Sequence, residues 1–312
     1  MILAITGPTG VGKTALSLEV AERLGAEIVS CDSRQVFREL TVGTAKPNPD
    51  ELARVRHHFV GERSLADGWS AGAFAADAEA RIRTIHARGG RALIVGGSTM
   101  YLDALVHGLS TLPPAVPELR ERLNAVAETA EGRAALFDEL RAADPAAAAT
   151  LDVTKSQRLV RFVEVLRSSG LGPSTYWAQQ APPAFEYRVV VLDRPRDELY
   201  ARIESRVDAM LDNGLVEENR ALLERYPLDL DIPTLRTIGY REPRRMLAGE
   251  LSREEMVTLL KRNTRRYAKR QLTWHRRRPG YVWMDARSST AGALLRLLDR
   301  PDPGVRSPRE SG

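Results

Sequence analysis

The first eighteen residues constrain the fold of this chain more than any other segment. An apolar run at residues 2–5 is followed, after a short loop, by a helical pattern over residues 15–20. The loop and the start of the helix read Gly7-Pro8-Thr9-Gly10-Val11-Gly12-Lys13-Thr14. This is G-x-x-x-x-G-K-T between a buried strand and an amphipathic helix, the context that predicts a phosphate-binding loop.

The residue types of this loop suit an anion. Glycines let successive backbone N–H groups turn inward, and the helix N-terminus adds partial positive charge. We expect Lys13 to reach the distal phosphate and the Thr14 hydroxyl to bind Mg²⁺. The alternative is a glycine-rich turn without a ligand, which the flanking strand and helix argue against.

Composition limits the class of protein. The chain has 312 residues, of which 43% are hydrophobic and 28% charged, as expected for a globular protein of one large and one smaller domain or of two domains. The single cysteine, Cys31, excludes an intrachain disulfide and a cysteine-based zinc module. Because the sequence starts with a core strand and has no membrane-length apolar stretch, we expect no signal peptide and a cytoplasmic protein.

Charge is concentrated near the end of the chain. Residues 261–278 carry nine Lys or Arg and no acidic residue, in a chain of net charge +5. This block suits a polyanion partner. A solvated helix face or a basic tail is the alternative.

Apolar runs alternating with helical patterns predict the fold. Apolar or mainly apolar segments at residues 2–5, 27–31, 92–95 and 188–192 are typical of strands buried on both faces. Helical patterns lie between them, so the sequence predicts an α/β fold with a doubly wound parallel sheet. The later helices are expected at about 197–213, 215–226 and 253–272, giving a helical C-terminal region.

Proline clusters at residues 112–117 and 181–183 bracket an alanine-rich segment without a convincing strand. The sequence therefore predicts an inserted all-helical domain in an α/β core. The boundaries are 1–111 and 184–287 for the core, 112–183 for the insertion, and 288–312 for a C-terminal tail that we expect to be disordered.

Ligands of parallel sheets bind at the carboxyl ends of the strands. Beside the glycine-rich loop, residues 32–35 and 96–101 occupy such ends, so all three should line one crevice. Asp32 could act as a general base, bind Mg²⁺ or cap a helix. Arg34 and Gln35 carry donors for a base edge or a phosphate. Asp193 is a weak match to a second Mg²⁺-binding acid.

A series of motifs in order along the chain resembles the tRNA dimethylallyltransferases, also called tRNA isopentenyltransferases. The matching segments are residues 7–14 (G-P-T-x-x-G-K-T), 32–37 (D-S-x-Q-V-Y), 43–47 (G-T-A-K-P), 57–58 (paired histidines), 96–101, 157–166, 206–218, 239–242 and 264–274 (T-R-Q-Y-A-K-R-Q-x-T-W). Phe37 stands where the family usually has Tyr, Thr99 where it has Gly, and His275 where Phe is common.

The resemblance implies transfer of a dimethylallyl group from dimethylallyl diphosphate to N6 of the adenine 3′ of the anticodon. In that case residues 7–14 hold the diphosphate with Mg²⁺, and Asp32 is the general base. Lys13, Thr14 and Arg206 join it in catalysis, Arg206 by offsetting charge on the leaving group. The insertion is expected to clasp the anticodon stem-loop, and the protein to be a monomer. The implied tRNA-binding residues are Asp32, Ser33, Arg34, Gln35, Thr99, Ser156, Gln157, Arg158, Arg241, Arg265, Lys269 and Arg270.

Three other functions share part of this pattern. A nucleoside or small-molecule kinase would use the same loop for ATP, and an RNA-binding module would use only the basic block. A transferase acting on free adenine nucleotides is a nearer alternative. ATP turnover and dependence on RNA separate them.

Overall fold

A computed structural model describes residues 1–108, 110, 112–152, 155–179, 182–228 and 232–298. The chain divides into two compact units. One comprises residues 1–106 together with the chain from 184 onward, and the other comprises residues 107–183. The second unit thus begins five residues before the boundary that the proline cluster suggested.

The first unit is built on a six-stranded sheet. The strands are β1 (Ile2–Thr6), β2 (Ala26–Ser30), β3 (His57–His58), β4 (Arg91–Val95), β5 (Tyr187–Asp193) and β6 (Val282–Asp285). Their order is β3-β2-β4-β1-β5-β6, and every neighbouring pair is parallel. The α/β fold with a parallel sheet is therefore confirmed, although the sequence did not predict the two edge strands β3 and β6.

Fourteen α-helices occur in the described part of the chain. They are α1 (Lys13–Leu24), α2 (Pro49–Arg54), α3 (Ala71–Ala87), α4 (Thr99–His107), α5 (Pro117–Val126), α6 (Ala130–Ala143), α7 (Pro145–Ala148), α8 (Ser156–Ser169), α9 (Pro173–Ala178), α10 (Arg196–Asp212), α11 (Leu215–Arg225), α12 (Arg241–Leu247), α13 (Arg253–Arg276) and α14 (Ala291–Leu295). Short 3₁₀ turns lie at Leu65–Asp67 and Pro233–Arg236. Within the described ranges, no helix combines the length and the apolarity needed to cross a bilayer.

Successive residues of the central strand point to opposite faces of the sheet, as strand geometry requires. Ile2 and Ala4 pack on one face, where Phe74 and Ile82 of α3 cover them. Leu3 and Ile5 pack on the other face with residues of α1 and α10. Helices therefore cover both faces, which is why the strands read as continuous apolar runs.

The second unit is helical throughout its described residues and has a core of its own. Leu123, Leu140 and Val163 of α5, α6 and α8 pack together in it. The carboxylate of Glu164 is buried and accepts hydrogen bonds from Arg120 and Arg161. Burial alone would raise the pKa of Glu164, but these two guanidinium groups hold it below its ordinary value.

The predicted disorder of the tail is wrong for residues 288–298. Helix α14 begins after Thr290, whose hydroxyl accepts a hydrogen bond from the backbone N–H of Ala293 at 3.2 Å. Ala291 and Leu294 are buried in the core beside α1. The Ser- and Arg-rich composition concealed a short segment that buries apolar surface. Residues 299–312 lie outside the described residues.

Candidate functional site

A cavity of about 550 Å³, here called the main cavity, lies at the carboxyl ends of β1, β2 and β4. Parallel strands bring these ends to one edge of the sheet, so three loops distant in sequence meet there. The predicted site residues that line this cavity are Thr9, Lys13, Thr14, Asp32, Ser33, Arg34, Gln35, Thr99 and Arg206.

The glycine-rich loop, residues 7–12, presents unpaired backbone donors. Gly10 and Gly12 have φ of +81° and +108°, which residues with a Cβ rarely adopt. Their N–H groups have no partner among the described residues, whereas the N–H of Val11 donates to Pro8 O at 3.3 Å. With the N-terminus of α1 beside them, these groups can bind an anion.

Lys13 is folded back onto this loop. Its Nζ donates to the carbonyl oxygens of Gly7 and Pro8, each at 2.9 Å. Burial lowers the pKa of Lys13 to about 7, and the Arg206 cation adds to the effect while Asp32 opposes it. The ammonium is therefore a poorly solvated cation that an anion in the cavity would stabilise.

Asp32 has a structural and a free oxygen. Its Oδ1 accepts the backbone N–H groups of Arg34 at 2.8 Å and Gln35 at 3.2 Å, which fixes the turn after β2. Oδ2 has no hydrogen-bond partner in the part of the chain that the structure describes. Asp32 thus both orders its loop, as a cap would, and offers an oxygen to a bound molecule.

Arg206 and Gln35 are held by the loop at residues 41–46. Nη2 of Arg206 donates to Thr44 O at 3.3 Å, and Nε2 of Gln35 donates to Thr44 O and Ala45 O. Burial lowers the pKa of Arg206, and the charge of Asp32 counteracts this. One loop therefore orients two of the predicted site residues.

That loop is anchored by Glu218 of α11. Its carboxylate accepts the backbone N–H groups of Thr41, Val42 and Gly43 at 3.0, 2.7 and 3.1 Å. The hydroxyl of Tyr240, which is fully buried, donates to the same carboxylate at 2.7 Å. The sequence comparison with the family included Glu218 but assigned it no role.

Gln271 of α13 connects two strand-end loops. Its Oε1 accepts the N–H of Thr9 at 2.9 Å, and its Nε2 donates to Gly97 O at 2.7 Å. A Cβ on Gly97 would lie 2.7 Å from that Nε2, so any larger residue here would displace the amide from this position. The N–H of Thr9, predicted to bind diphosphate, is occupied by this contact.

We expect Gln271→Met to weaken binding of inorganic diphosphate about tenfold and to lower the free energy of unfolding by about 1–3 kcal/mol, because it leaves buried polar groups unpaired. Gln271→Glu keeps the acceptor for Thr9, loses the donor to Gly97 and adds a buried negative charge beside the loop. Calorimetric titration and urea unfolding of both variants measure the two effects. Wild-type diphosphate affinity in Gln271→Met would show that the connection does not shape the loop.

His275 lies below the glycine-rich loop and is completely buried. Its Nε2 lies 3.3 Å from Thr6 Oγ1, within hydrogen-bonding distance. Burial, reinforced by the charge of Lys13, lowers the pKa of His275 to about 4. The ring is therefore neutral at pH 7, which lets it stand where the family commonly has Phe.

Several residues predicted to bind tRNA lie outside the main cavity. Arg241 pairs with Glu242, and Arg265 pairs with Glu204. Lys269 and Arg270 are exposed on α13, and Ser156, Gln157 and Arg158 form the first turn of α8 in the second unit. Asp193 also lies outside this cavity, so it is not placed to bind a metal there.

The predicted Mg²⁺ site has two oxygen donors in the main cavity, the Thr14 hydroxyl and the Asp32 carboxylate. No group of three His, Cys, Asp or Glu side chains suited to a metal occurs among the described residues. Mg²⁺ often uses one or two protein ligands and completes its shell with water and substrate phosphates. The residues present fit that mode, and Mg²⁺ binding stays a prediction.

Comparisons with known proteins agree on one family. The family model described as IPP transferase matches residues 35–278. A tRNA dimethylallyltransferase of Salinibacter ruber is 53% identical over 297 residues, which cover 95% of this chain and 91% of that protein. The full-length tRNA isopentenylpyrophosphate transferase of Bacillus halodurans is 34% identical, with a TM-score of 0.68 and coverage of 96% and 94%.

A eukaryotic dimethylallyltransferase, solved while acting on tRNA, has a TM-score of 0.82 over 99% of this chain and 82% of its own. At 24% identity it shows a shared fold. The family match and the relative at 53% identity show the class of enzyme as well as the fold. The chain therefore belongs to the IPP transferase family and is a prenyltransferase enzyme.

Proposed function

We propose that this protein transfers a dimethylallyl group from dimethylallyl diphosphate to N6 of the adenine 3′ of the anticodon in tRNA. The names of the relatives specify tRNA and a dimethylallyl or isopentenyl group. The observation that carries the proposal is the presence of Asp32 in the same cavity as Lys13 and Thr9 of the glycine-rich loop. Asp32 is near enough to raise the pKa of both Lys13 and Arg206.

The diphosphate occupies the glycine-rich loop in this proposal. The free N–H groups of Gly10 and Gly12 bind its oxygens, and Lys13 exchanges its two carbonyl contacts for the phosphate. Lys13 and Arg206 offset the charge that develops as the allylic C–O bond breaks. Mg²⁺, held by Thr14 and the substrate, would add charge neutralisation.

Asp32 addresses the weakness of the nucleophile. The exocyclic amine of adenine is a poor nucleophile because its lone pair is delocalised into the ring. A carboxylate oxygen that accepts an N6 proton during attack on the allylic carbon compensates for this. Oδ2 of Asp32 serves as that acceptor while Oδ1 keeps the turn in place.

The acceptor adenine must leave its stack to reach a cavity at the strand ends. Ser33, Arg34 and Gln35 line that cavity and read the base in this proposal, and Thr99, which also lines it, contacts the RNA backbone. The exposed cations of α13 contact the RNA backbone. The helical unit at residues 107–183 binds the stem-loop. The monomeric state and the cytoplasmic location of the protein stay predictions.

The test is mass spectrometry of an anticodon stem-loop after incubation with dimethylallyl diphosphate and Mg²⁺. We expect a gain of one dimethylallyl group on that adenine and no requirement for ATP. Free adenine nucleotides in parallel reactions test the need for RNA. ATP consumption without prenylated RNA would support the kinase alternative instead.

Diphosphate binding should depend on pH through Lys13. The free-enzyme ammonium is charged below pH 7 and increasingly neutral above it, so binding at higher pH must take up a proton. We expect the affinity for inorganic diphosphate to fall up to about tenfold per pH unit above 7, relative to Lys13→Arg. Calorimetry in buffers of different ionisation enthalpy measures the uptake. Equal proton uptake in both proteins would contradict the assignment.

A further inference from the structure

A second groove lies on the far side of α13 from the main cavity. It also has a volume of about 550 Å³ and is formed where β5 and β6 end. We call it the basic groove and define it by Arg196, Tyr200, Lys269, Arg276 and Trp283, which all line it. Apart from the RNA-backbone contacts proposed for the exposed cations of α13, the proposed reaction gives this groove no role.

The charges of the groove are only partly balanced. Arg194 and Arg287 each lie 3.1 Å from a carboxylate oxygen of Glu198. The three other cations of the lining, Arg196, Lys269 and Arg276, have no carboxylate within ion-pair distance among the described residues. All three side chains are on exposed residues. The groove therefore presents an unneutralised positive surface of the kind that attracts a polyanion.

Aromatic rings lie between these cations. The guanidinium of Arg196 is 5.0 Å from the ring centre of Tyr200, and that of Arg276 is 5.9 Å from the ring centre of Trp283. Trp283 is 36% exposed at the edge of the sheet. Cations beside at least one exposed aromatic ring, here that of Trp283, are the combination that binds single-stranded nucleic acid, through phosphates and stacked bases.

Helix α13 lies between the main cavity and the basic groove. Tyr267 and Gln271 face the main cavity, whereas Lys269 and Arg276 face the basic groove. With side chains, a helix is only about 10–12 Å across. A strand that places one nucleotide in the main cavity can therefore continue over α13 into the groove.

We propose that the basic groove binds the sugar-phosphate backbone and one base of the RNA nucleotides next to the acceptor adenine. This inference rests on the proposed function, because it needs an RNA substrate. The groove is unsuited to a compact polyphosphate, since Asp193 and Asp285 also line it. Each phosphodiester of an RNA strand carries one negative charge, so successive phosphates can contact different cations of the groove.

The test is the salt dependence of binding of an anticodon stem-loop to wild-type protein and to the double variant Arg196→Ala/Arg276→Ala. Each lost phosphate contact on a single strand flattens the slope of log K against log salt by about 0.7. We expect the slope to flatten by about one to one and a half, and affinity at 0.1 M salt to fall about tenfold or more. Binding of inorganic diphosphate should not change.

Three further variants sharpen the result. Trp283→Ala should weaken binding about tenfold with little change in slope, because it removes stacking and no charge. Arg91→Ala, which removes an exposed arginine at the amino end of β4, is the matched control and should bind like the wild type. Arg196→Lys/Arg276→Lys should restore the slope.

A wild-type slope in the double alanine variant overturns the inference, as does an equal loss in Arg91→Ala. Prenylation of the stem-loop by the wild-type protein is measured in the same samples. If the wild type prenylates the RNA and the slope is unaltered, the groove assignment fails and the proposed function stands. If no prenylation occurs, the proposed function fails whatever the slope.

Discussion

Asp32→Asn is expected to keep its affinity for the tRNA and for the diphosphate substrate while turning over about 10²–10⁴ times more slowly. Asparagine retains an oxygen that can accept the N–H groups of Arg34 and Gln35, so the turn after β2 stays in place. What it loses is the negative oxygen that takes the N6 proton. Single-turnover rates at saturating substrates, with filter binding of the stem-loop, separate chemistry from binding.

Asp32→Ala is the informative companion variant. It removes both the proton acceptor and the acceptor of the two backbone hydrogen bonds. If the role is chemical, Asp32→Asn and Asp32→Ala lose turnover to a similar extent, and only the alanine variant also loses stability, by about 1–2 kcal/mol. Near-normal turnover in Asp32→Asn would rule out the general-base assignment and leave Asp32 a structural residue.

The elements of the fold that could be predicted are those whose signal lies in a short stretch of the sequence. Strands β1, β2, β4 and β5 are buried on both faces, and strands buried in this way have mainly apolar sequences. Strands β3 and β6 are edges, one of two residues and the other half-exposed, so neither has such a run. Helix α14 was missed for the same reason, because only two of its residues are buried.

The site divides in the same way. The glycine-rich loop is visible because its donors and its glycines are adjacent in sequence. The roles of Gln271 and Glu218 could not be predicted, because their hydrogen-bond partners are distant in sequence. The partners of Gln271 lie 262 and 174 residues away, and those of Glu218 lie 175–177 residues away. The motif that contains Gln271 was noted, but a motif does not say which backbone groups an amide will connect.

The basic block shows a third case. The sequence indicated a polyanion partner from nine cations in residues 261–278. The structure distributes those cations around α13: Lys261 and Arg265 pair with carboxylates of α10, and Lys269 and Arg276 face the basic groove. Charge count alone could not distinguish neutralised from available cations, because the paired acids are more than fifty residues away.

Lys13→Met is expected to lower kcat/KM for dimethylallyl diphosphate about 10³-fold, with stem-loop affinity unchanged. Methionine is close in length and apolar, so it fills the space of the lysine stem without a charge. Loss of a single well-placed donor to a developing anion typically costs about 10²–10³ in rate. The loss of an ammonium in a poorly solvated cavity should reach the upper end, because it removes one of the two side-chain cations assigned to the leaving group.

Arg202→Met supplies the matched control for this variant. Arg202 also contacts the glycine-rich loop, donating from Nε to Gly10 O at 2.8 Å, yet it does not line the main cavity. If Lys13 acts on the diphosphate, Arg202→Met keeps nearly wild-type kinetics and only Lys13→Met loses diphosphate binding by calorimetry. Unchanged KM and kcat for the diphosphate in Lys13→Met would mean that the leaving group lies elsewhere. An anion bound in the loop would be destabilised by the loss of that cation.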